Sequence, residues 1–273
     1  MMRFFRAALR QILLLAFGLL VLFPLIYGIL GAFKAPQEFT LQPPTVLPRS
    51  FGYLDNFRTV FRTVPVPRFL LNSLISALMT SVVRMLLAML AAYAFAFFEF
   101  RGKRFLFFLL LGTMMFPAET LTIGNYRTVA KLGLINTYLG MGIVSFVGAS
   151  QMLMLRQRFR SFPAAVYDAA RLDGCGDLRF LFGILLPMSI PLVMMLFLQS
   201  FIAQWNAYLW PLLVTNRNEM RTVQVGITML TKIDGTNYET ILAGVTLALI
   251  PSVILFLLLR RRMTQAMVTD AEP

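Results

Sequence analysis

Residues 167–187 read YDAARLDGCGDLRFLFGILLP, and the way this stretch folds decides the architecture of the chain. It carries three Asp and two Arg around a glycine pair, then passes into an apolar run that reaches a proline. Ser161 is placed to cap a short helix, Pro163 suits its first turn, and Gly174 is a natural left-handed stop. Phe162, Val166, Ala169 and Ala170 fall at i, i+4, i+7 and i+8, so they are expected to form one apolar face, with Asp168 and Arg171 elsewhere. Asp177 is placed to cap a second helix, LRFLFGILL, which runs into Pro187.

The surroundings are built for hydrocarbon. Of 273 residues, 58% are hydrophobic and 14% charged, beyond the roughly half-apolar composition of soluble domains. The net charge of +13 could attract nucleic acid, but in a membrane chain basic residues collect in cytoplasmic loops and hold the topology, so no nucleic acid is expected. No histidine is present, which removes Ser-His-Asp and Cys-His nucleophiles, HExxH zinc sites and histidine proton relays. Cys175 is the single cysteine and cannot form an internal disulfide. There is no G-x-x-x-x-G-K-[ST] phosphate loop, so any energy used must come from a gradient or from another chain. No cofactor, metal or catalytic residue is expected.

A helical crossing needs about 20 mostly apolar residues. Such runs occur near 11–33, 69–97, 104–123, 138–156, 184–212 and 238–259, so an all-α integral membrane protein of six transmembrane helices is predicted. The amino-terminal run is too long for a signal peptide and lacks an A-x-A site before Lys34, so it reads as a retained span. With the amino terminus inside, the short inner segments hold dense clusters at Arg3, Arg6 and Arg10, at Arg101–Arg104, at Arg156–Arg160 and at Arg260–Arg262. That density places both termini in the cytoplasm and residues 158–183 at the cytoplasmic surface. The proline-rich segment 34–68 is then external, with one short amphipathic helix expected at YLDNFRTVF. Ala88, Ala92 and Ala96 make a small-residue ridge for close helix packing. Pro187, Pro191 and Pro211 predict a kinked or interrupted fifth span.

D-A-A-R-L-D-G at 168–174 followed by I-L-L-P at 184–187 resembles the E-A-A…G…I-x-L-P signature of ABC importer permeases, with Asp168 where the family has Glu. Three further stretches resemble the carbohydrate-uptake branch, the MalG-like and UgpE-like subunits. They are N-S-L…A-A-Y-A-F within 70–104, L-G-L-I-N-T within 131–140, and WNAYLWPLLVT at 205–215. The resemblance implies a MalG-like, type I importer fold. In it Asp168, Ala169, Ala170, Arg171, Leu172, Asp173 and Gly174 form a cytoplasmic coupling helix that docks on an ATPase subunit. It also implies a homologous second permease, two ABC ATPase subunits, an extracytoplasmic solute-binding protein and surrounding membrane lipid as partners. The localisation implied is the prokaryotic inner membrane, multi-pass. The divisions expected are 1–68 (first span and external loop), 69–262 (permease core with coupling loop 158–183) and 263–273 (cytoplasmic tail). The expected function is inward passage of a sugar or sugar-like solute, such as a maltooligosaccharide or glycerol-3-phosphate; a gradient-driven transporter or channel is the alternative.

Polar residues at membrane depth are the candidate solute path: Gln151, Gln199, Gln204, Trp205, Asn206 and Tyr208 offer amides for directed hydrogen bonds and rings for stacking on sugar carbons. The same residues could equally serve as interhelical bonds or an aromatic belt. Arg84 would cost about 2.5–3.5 kcal/mol unrelieved at the bilayer centre. Its three outlets are Glu119, an aqueous cavity or the sister permease. Asn72 and Ser73 are placed to cap the start of the second span, and the external loop 213–237 is a candidate contact for the binding protein.

Overall fold

The computed structural model describes residues 2–43, 45–233 and 237–269, and among these every regular element is helical. Two compact units are present. One gathers the residues up to Pro67 with Val225–Ile250, and the other Arg68–Gln224 with the stretch from Pro251 onward.

In the first unit, a run with no acidic side chain forms α1 (Met2–Gly31). Its residues from Leu9 to Ile26 are largely exposed, the state of an apolar helix whose solvent is lipid. The connector that follows is more ordered than its prolines predict. Asn56, on α2 (Asp55–Thr63), donates to the carbonyls of Ala32 and Lys34 at 2.9 and 2.8 Å, closing the carboxyl end of α1. Glu38 accepts from the backbone N–H of Arg49 at 2.9 Å and of Ala35 at 3.1 Å. The Lys34 ammonium lies over the Tyr27 and Phe39 rings and donates to the Thr45 carbonyl.

The second unit begins within α3 (Val66–Phe97), a helix of 32 residues. The small-residue ridge is buried as expected: Ala88 and Ala92 sit in the main apolar cluster and Ala96 packs against it. A turn at Gly102, where φ is +81°, reverses the chain into α4 (Lys103–Thr113). The run at 104–123 is therefore divided: α4 stops at Thr113, a 3-10 turn covers Ala118–Leu121, and α5 (Thr122–Lys131) follows. Pro117, lacking an N–H, cannot continue the helix. The next run is bent by 55° between Tyr138–Ser145, which contains α6 (Tyr138–Gly142), and α7 (Ala149–Arg160).

After α7 come α8 (Ala164–Leu172) and α9 (Asp177–Phe180), then a π-type turn at Leu181–Leu185 that leads into α10 (Leu186–Trp205). The fifth run is interrupted at Asn206–Tyr208, and Pro211 lies in a separate helix, α11 (Leu209–Val214). Finally α12 (Val223–Ile233) and α13 (Tyr238–Thr269) follow. In the first unit, Gly31 lets α1 approach α13 closely, since a Cβ there would meet Leu242. The tail expected at 263–273 continues α13 to Thr269, and 270–273 lie outside the described residues.

Among the described residues four helical stretches are long and apolar enough to cross a bilayer: Leu9–Gly31, Val66–Phe97, Asp177–Trp205 and Tyr238–Leu259. The bent pair makes a fifth if it counts as one crossing.

The backbone N–H bond from Arg49, aided by that from Ala35 and by the nearby Arg49 and Lys34 charges, holds the Glu38 carboxyl below its ordinary range. A lowered folded-state value stabilises above the unfolded value and is lost as pH falls through the folded one. Order in the 34–49 connector should therefore persist at neutral pH and disappear below the usual carboxylate range. Glu38→Gln should show the acid behaviour already at pH 7, as read by limited proteolysis.

Candidate functional site

The quoted segment folds as a helix, a left-handed stop and a second helix, with corrections at the caps. Pro163, not Ser161, occupies the position before the first turn of α8, in an extended conformation (φ −59°, ψ 122°). Ser161 instead closes α7, its hydroxyl donating to the Arg158 carbonyl at 2.8 Å. At the far end, Cys175 N–H donates to Ala170 O at 2.9 Å and Gly174 N–H to Arg171 O at 3.0 Å. This is the Schellman pairing, and it requires the left-handed residue that Gly174 supplies with φ +71°. No atom crowds Gly174, so the backbone conformation alone selects glycine. Asp177 is the first residue of α9 rather than its cap; Gly176 precedes it in extended conformation.

The face turned to the chain's own core also differs from the one expected. Phe162, Tyr167, Ala170 and Cys175 face the main apolar cluster, whereas Val166 and Ala169 are exposed. Rings decide this. Tyr167 stacks on Phe97 at 4.8 Å and meets Phe180 edge-on at 5.0 Å; Phe162 meets Phe180 edge-on at 5.9 Å. Phe180, 1% exposed, is the hub. Around the rings runs a polar chain. Tyr93 OH donates to Asp177 Oδ1 at 3.1 Å, Arg171 approaches the same oxygen at 3.3 Å, and Arg171 Nε donates to Tyr167 OH at 3.2 Å. The carboxyl end of α3, the helix α8 and the start of α9 are thereby joined.

Facing away from this core, α8 presents Val166, Asp168, Ala169 and Leu172. Leu172 is 89% exposed, the mark of an apolar side chain with no cover inside its own chain. Asp173 is exposed beside it. The segment then leads without a break from Asp177 to Trp205, 29 residues.

The path candidates divide by burial. Gln204 is buried and donates to Ser76 Oγ and to Met141 O, both at 3.2 Å, which makes it an interhelical bond. Trp205 is 2% exposed and stacked on Phe201 at 5.7 Å. Gln199, Asn206 and Tyr208 are exposed, and Gln199 and Asn206 lie seven residues apart, two turns along one face of α10 and its end. Asn206 accepts from Gln224 at 3.2 Å. Gln151 is buried near Arg84, where both line a cavity of about 370 Å³ with Thr113 and Ser150. Of the outlets foreseen for Arg84, the structure provides the cavity, together with a bond from Nε to the Ser145 carbonyl at 2.6 Å. Glu119 is exposed, and no ion pair joins it to Arg84 among the described residues. At Gly148, where α7 begins, an added Cβ would meet the Gln151 amide oxygen and the Arg84 stem, and those side chains would have to shift.

At the opposite end of α3, Asn72 and Ser73 act as staples within the unit, not as helix caps. Asn72 donates to the carbonyls of Glu219 and Arg221 at 2.8 and 2.9 Å and accepts from Tyr138 OH at 2.8 Å; Ser73 Oγ accepts from Val223 N–H at 2.8 Å. Asn136, with φ +60°, accepts from the N–H groups of Asn216 and Arg217 and donates to Asn216 Oδ1. Trp210 donates to Gly140 O at 3.0 Å. From Asn72 to Tyr93 along α3 is about 30 Å, one hydrocarbon thickness. The helix is thus tied near each of its ends. The sequence signals for the ties are the residues flanking the motifs, Tyr93 and Tyr167 above all; their roles depend on the distant partners Asp177 and Phe97, and no local pattern shows them.

Comparison with known proteins agrees with this geometry. Residues 12–269 match the model of the family described as binding-protein-dependent transport system inner membrane component. The sn-glycerol-3-phosphate transport system permease protein UgpE of Pectobacterium atrosepticum is 32% identical over 270 residues, covering 96% of this chain and 95% of that one. UgpE of Brucella melitensis is 31% identical over 266 residues, covering 94% of each. Among solved structures, a chain of a bacterial ABC transporter involved in import of the acidic polysaccharide alginate superposes with a TM-score of 0.78 at 23% identity, over 95% of this chain and 96% of that one. A match across nearly the whole length, on a helical chain with several membrane-crossing helices, makes this a multi-pass inner-membrane protein and a transport permease rather than an enzyme. The chain belongs to the family of binding-protein-dependent transport system inner membrane components, as an ABC importer permease of the UgpE and MalG type.

Proposed function

We propose that this chain forms half of the translocation path for a sugar or sugar-like solute, opened by a separate ATPase that grips α8. The observation that carries the reading is the division of α8 into two faces. One is locked by Phe180, Tyr167 and Asp177 to α3 and α9; the other leaves Val166, Asp168, Ala169 and Leu172 uncovered. A helix fixed to its own bundle and open on the far side is suited to fill a groove on a partner. Nucleotide-driven closure of that partner would move α8, and the continuous Asp177–Trp205 stretch would carry the motion into the membrane. This chain would work with a homologous permease, two ATPase subunits and an extracytoplasmic binding protein.

Six crossings follow if α4 with the turn after it makes one and the bent pair another, which puts both termini and α8 in the cytoplasm. The loop after α11 then faces outward, toward the binding protein. The exposed Gln199, Asn206 and Tyr208 would contribute to the path between the two permeases, and Arg84 with Gln151 would suit an anionic group of the cargo. The glycerol-3-phosphate carried by the relatives named above has such a group.

Two outcomes test this. Asp168→Arg combined with Leu172→Asp alters only exposed side chains, so thermal melting should be unchanged. Co-purification of the ATPase subunit and solute uptake should each fall about tenfold or more, as when an anchoring contact of about 1.4 kcal/mol is lost. Full uptake by that variant would refute the docking. Separately, Gln199→Leu and Asn206→Leu should raise the KM for uptake several-fold while ATPase retention stays as in the wild type; an unchanged KM in both removes them from the path.

A further inference from the structure

A second site lies at the hairpin between α3 and α4, beside the last turns of α7. There a cavity of about 770 Å³ opens to the surface. Four cations line it: Lys103, Arg104, Arg156 and Arg160. One carboxylate lines it too, Glu99, leaving an excess of three positive charges.

Two of the cations are already engaged. Lys103 pairs with Glu99 at 2.8 Å and donates to the Phe98 carbonyl at 2.7 Å. Arg156 donates to the Phe95 carbonyl at 3.2 Å and lies 4.3 Å from the Phe107 ring centre. Arg104 and Arg160 are exposed at the mouth, and both lie close enough to Glu99 to hold its carboxyl below the ordinary range, though Lys103 does so most. Arg156 and Arg160 are one helical turn apart and repel each other, a cost that a bound anion would remove.

The other half of the lining is aromatic. Phe95 and Phe107 form the inner part, and the exposed Phe100, Phe105 and Phe108 continue it, the last two 70% and 67% exposed. An inorganic anion would use the cations and gain nothing from the rings. A molecule with a phosphate at one end and acyl chains at the other uses both.

We propose that this cavity holds the headgroup of an anionic phospholipid, with its chains along Phe105 and Phe108. The phosphate sits between Arg104 and Arg160, and Arg156, held on Phe107, forms the floor. Basic pockets between membrane helices at the cytoplasmic side have this chemistry. The placement in the inner leaflet rests on the orientation proposed above; binding itself does not. In this reading, the arginines that set the topology also anchor the α3–α4 hairpin, next to the end of α3 that carries Tyr93.

The test is native mass spectrometry of the full chain with its co-purifying subunits, given dioleoylphosphatidylglycerol, dioleoylphosphatidylcholine or inorganic phosphate. The phosphatidylglycerol adduct should be retained about tenfold over phosphatidylcholine. Excess inorganic phosphate should not displace it. Arg104→Gln with Arg160→Gln should reduce it to the phosphatidylcholine level without changing thermal melting. Arg160→Gln alone should reduce it part-way, and the paired lysine variants should keep it. Equal retention of the two lipids, displacement by phosphate, or full retention by the glutamine variants would overturn the proposal. Because no step reads transport, a chain that fails in uptake yet keeps the lipid would count against the permease mechanism only.

Discussion

The carboxylate of Asp177 is the constraint on which the working arrangement rests. It accepts from Tyr93 on α3 and faces Arg171 on α8, while its own residue begins the helix that becomes α10. Three elements meet at one oxygen, α3 from 84 residues upstream and α8 from just before α9. Its side chain is neither fully buried nor free, so the bond and the ion pair are worth modest energy individually. Their effect is geometric: they fix the roll of α8, and the roll decides which residues look outward. Phe180 supplies the apolar share, with rings on several sides and almost no exposure.

That roll explains why an apolar helix outside the bundle does not simply collapse onto it. Once Tyr167 stacks on Phe97, Leu172 cannot also reach the core, since residues on one helix face lie three or four apart and Leu172 is five away from Tyr167. The exposed apolar side is therefore a consequence of good packing on the opposite side. The Schellman stop reinforces it by ending the helix one residue after Leu172 and turning Cys175 back onto the cluster that holds Ala170.

The other end of the second unit obeys a different logic. Where α8 is held by rings and one carboxylate, this end is held by side-chain amides, a hydroxyl and an indole on backbone carbonyls and N–H groups: Asn72, Ser73, Asn136, Gln204 and Trp210. Short helices such as α6 and α11 leave many backbone groups without intrahelical partners, and near a membrane these must be answered by side chains. Polar residues there serve as scaffold. Of the amides that composition singles out, Gln204 is consumed in this way, while Gln199 and Asn206 stay exposed, Asn206 accepting from Gln224.

Periodicity and composition by themselves determined that the chain is helical and membrane-embedded, that a helix stops at Gly174, that the ridge at Ala88 and Ala92 is buried, and that the fifth run is kinked or interrupted. Each follows from a local rule: backbone groups must pair within hydrocarbon, glycine alone enters the left-handed region cheaply, and proline withholds an N–H. The motif stretches also carried the family. Other features were settled only by tertiary structure. The 55° bend beside Arg84, the inward face of α8 and the staples made by Asn72 depend on which side chains arrive from elsewhere in the chain. Helical spacing gives two possible apolar faces to α8, and only the positions of Phe97 and Phe180 choose between them, because ring stacking needs a partner that the local sequence does not contain.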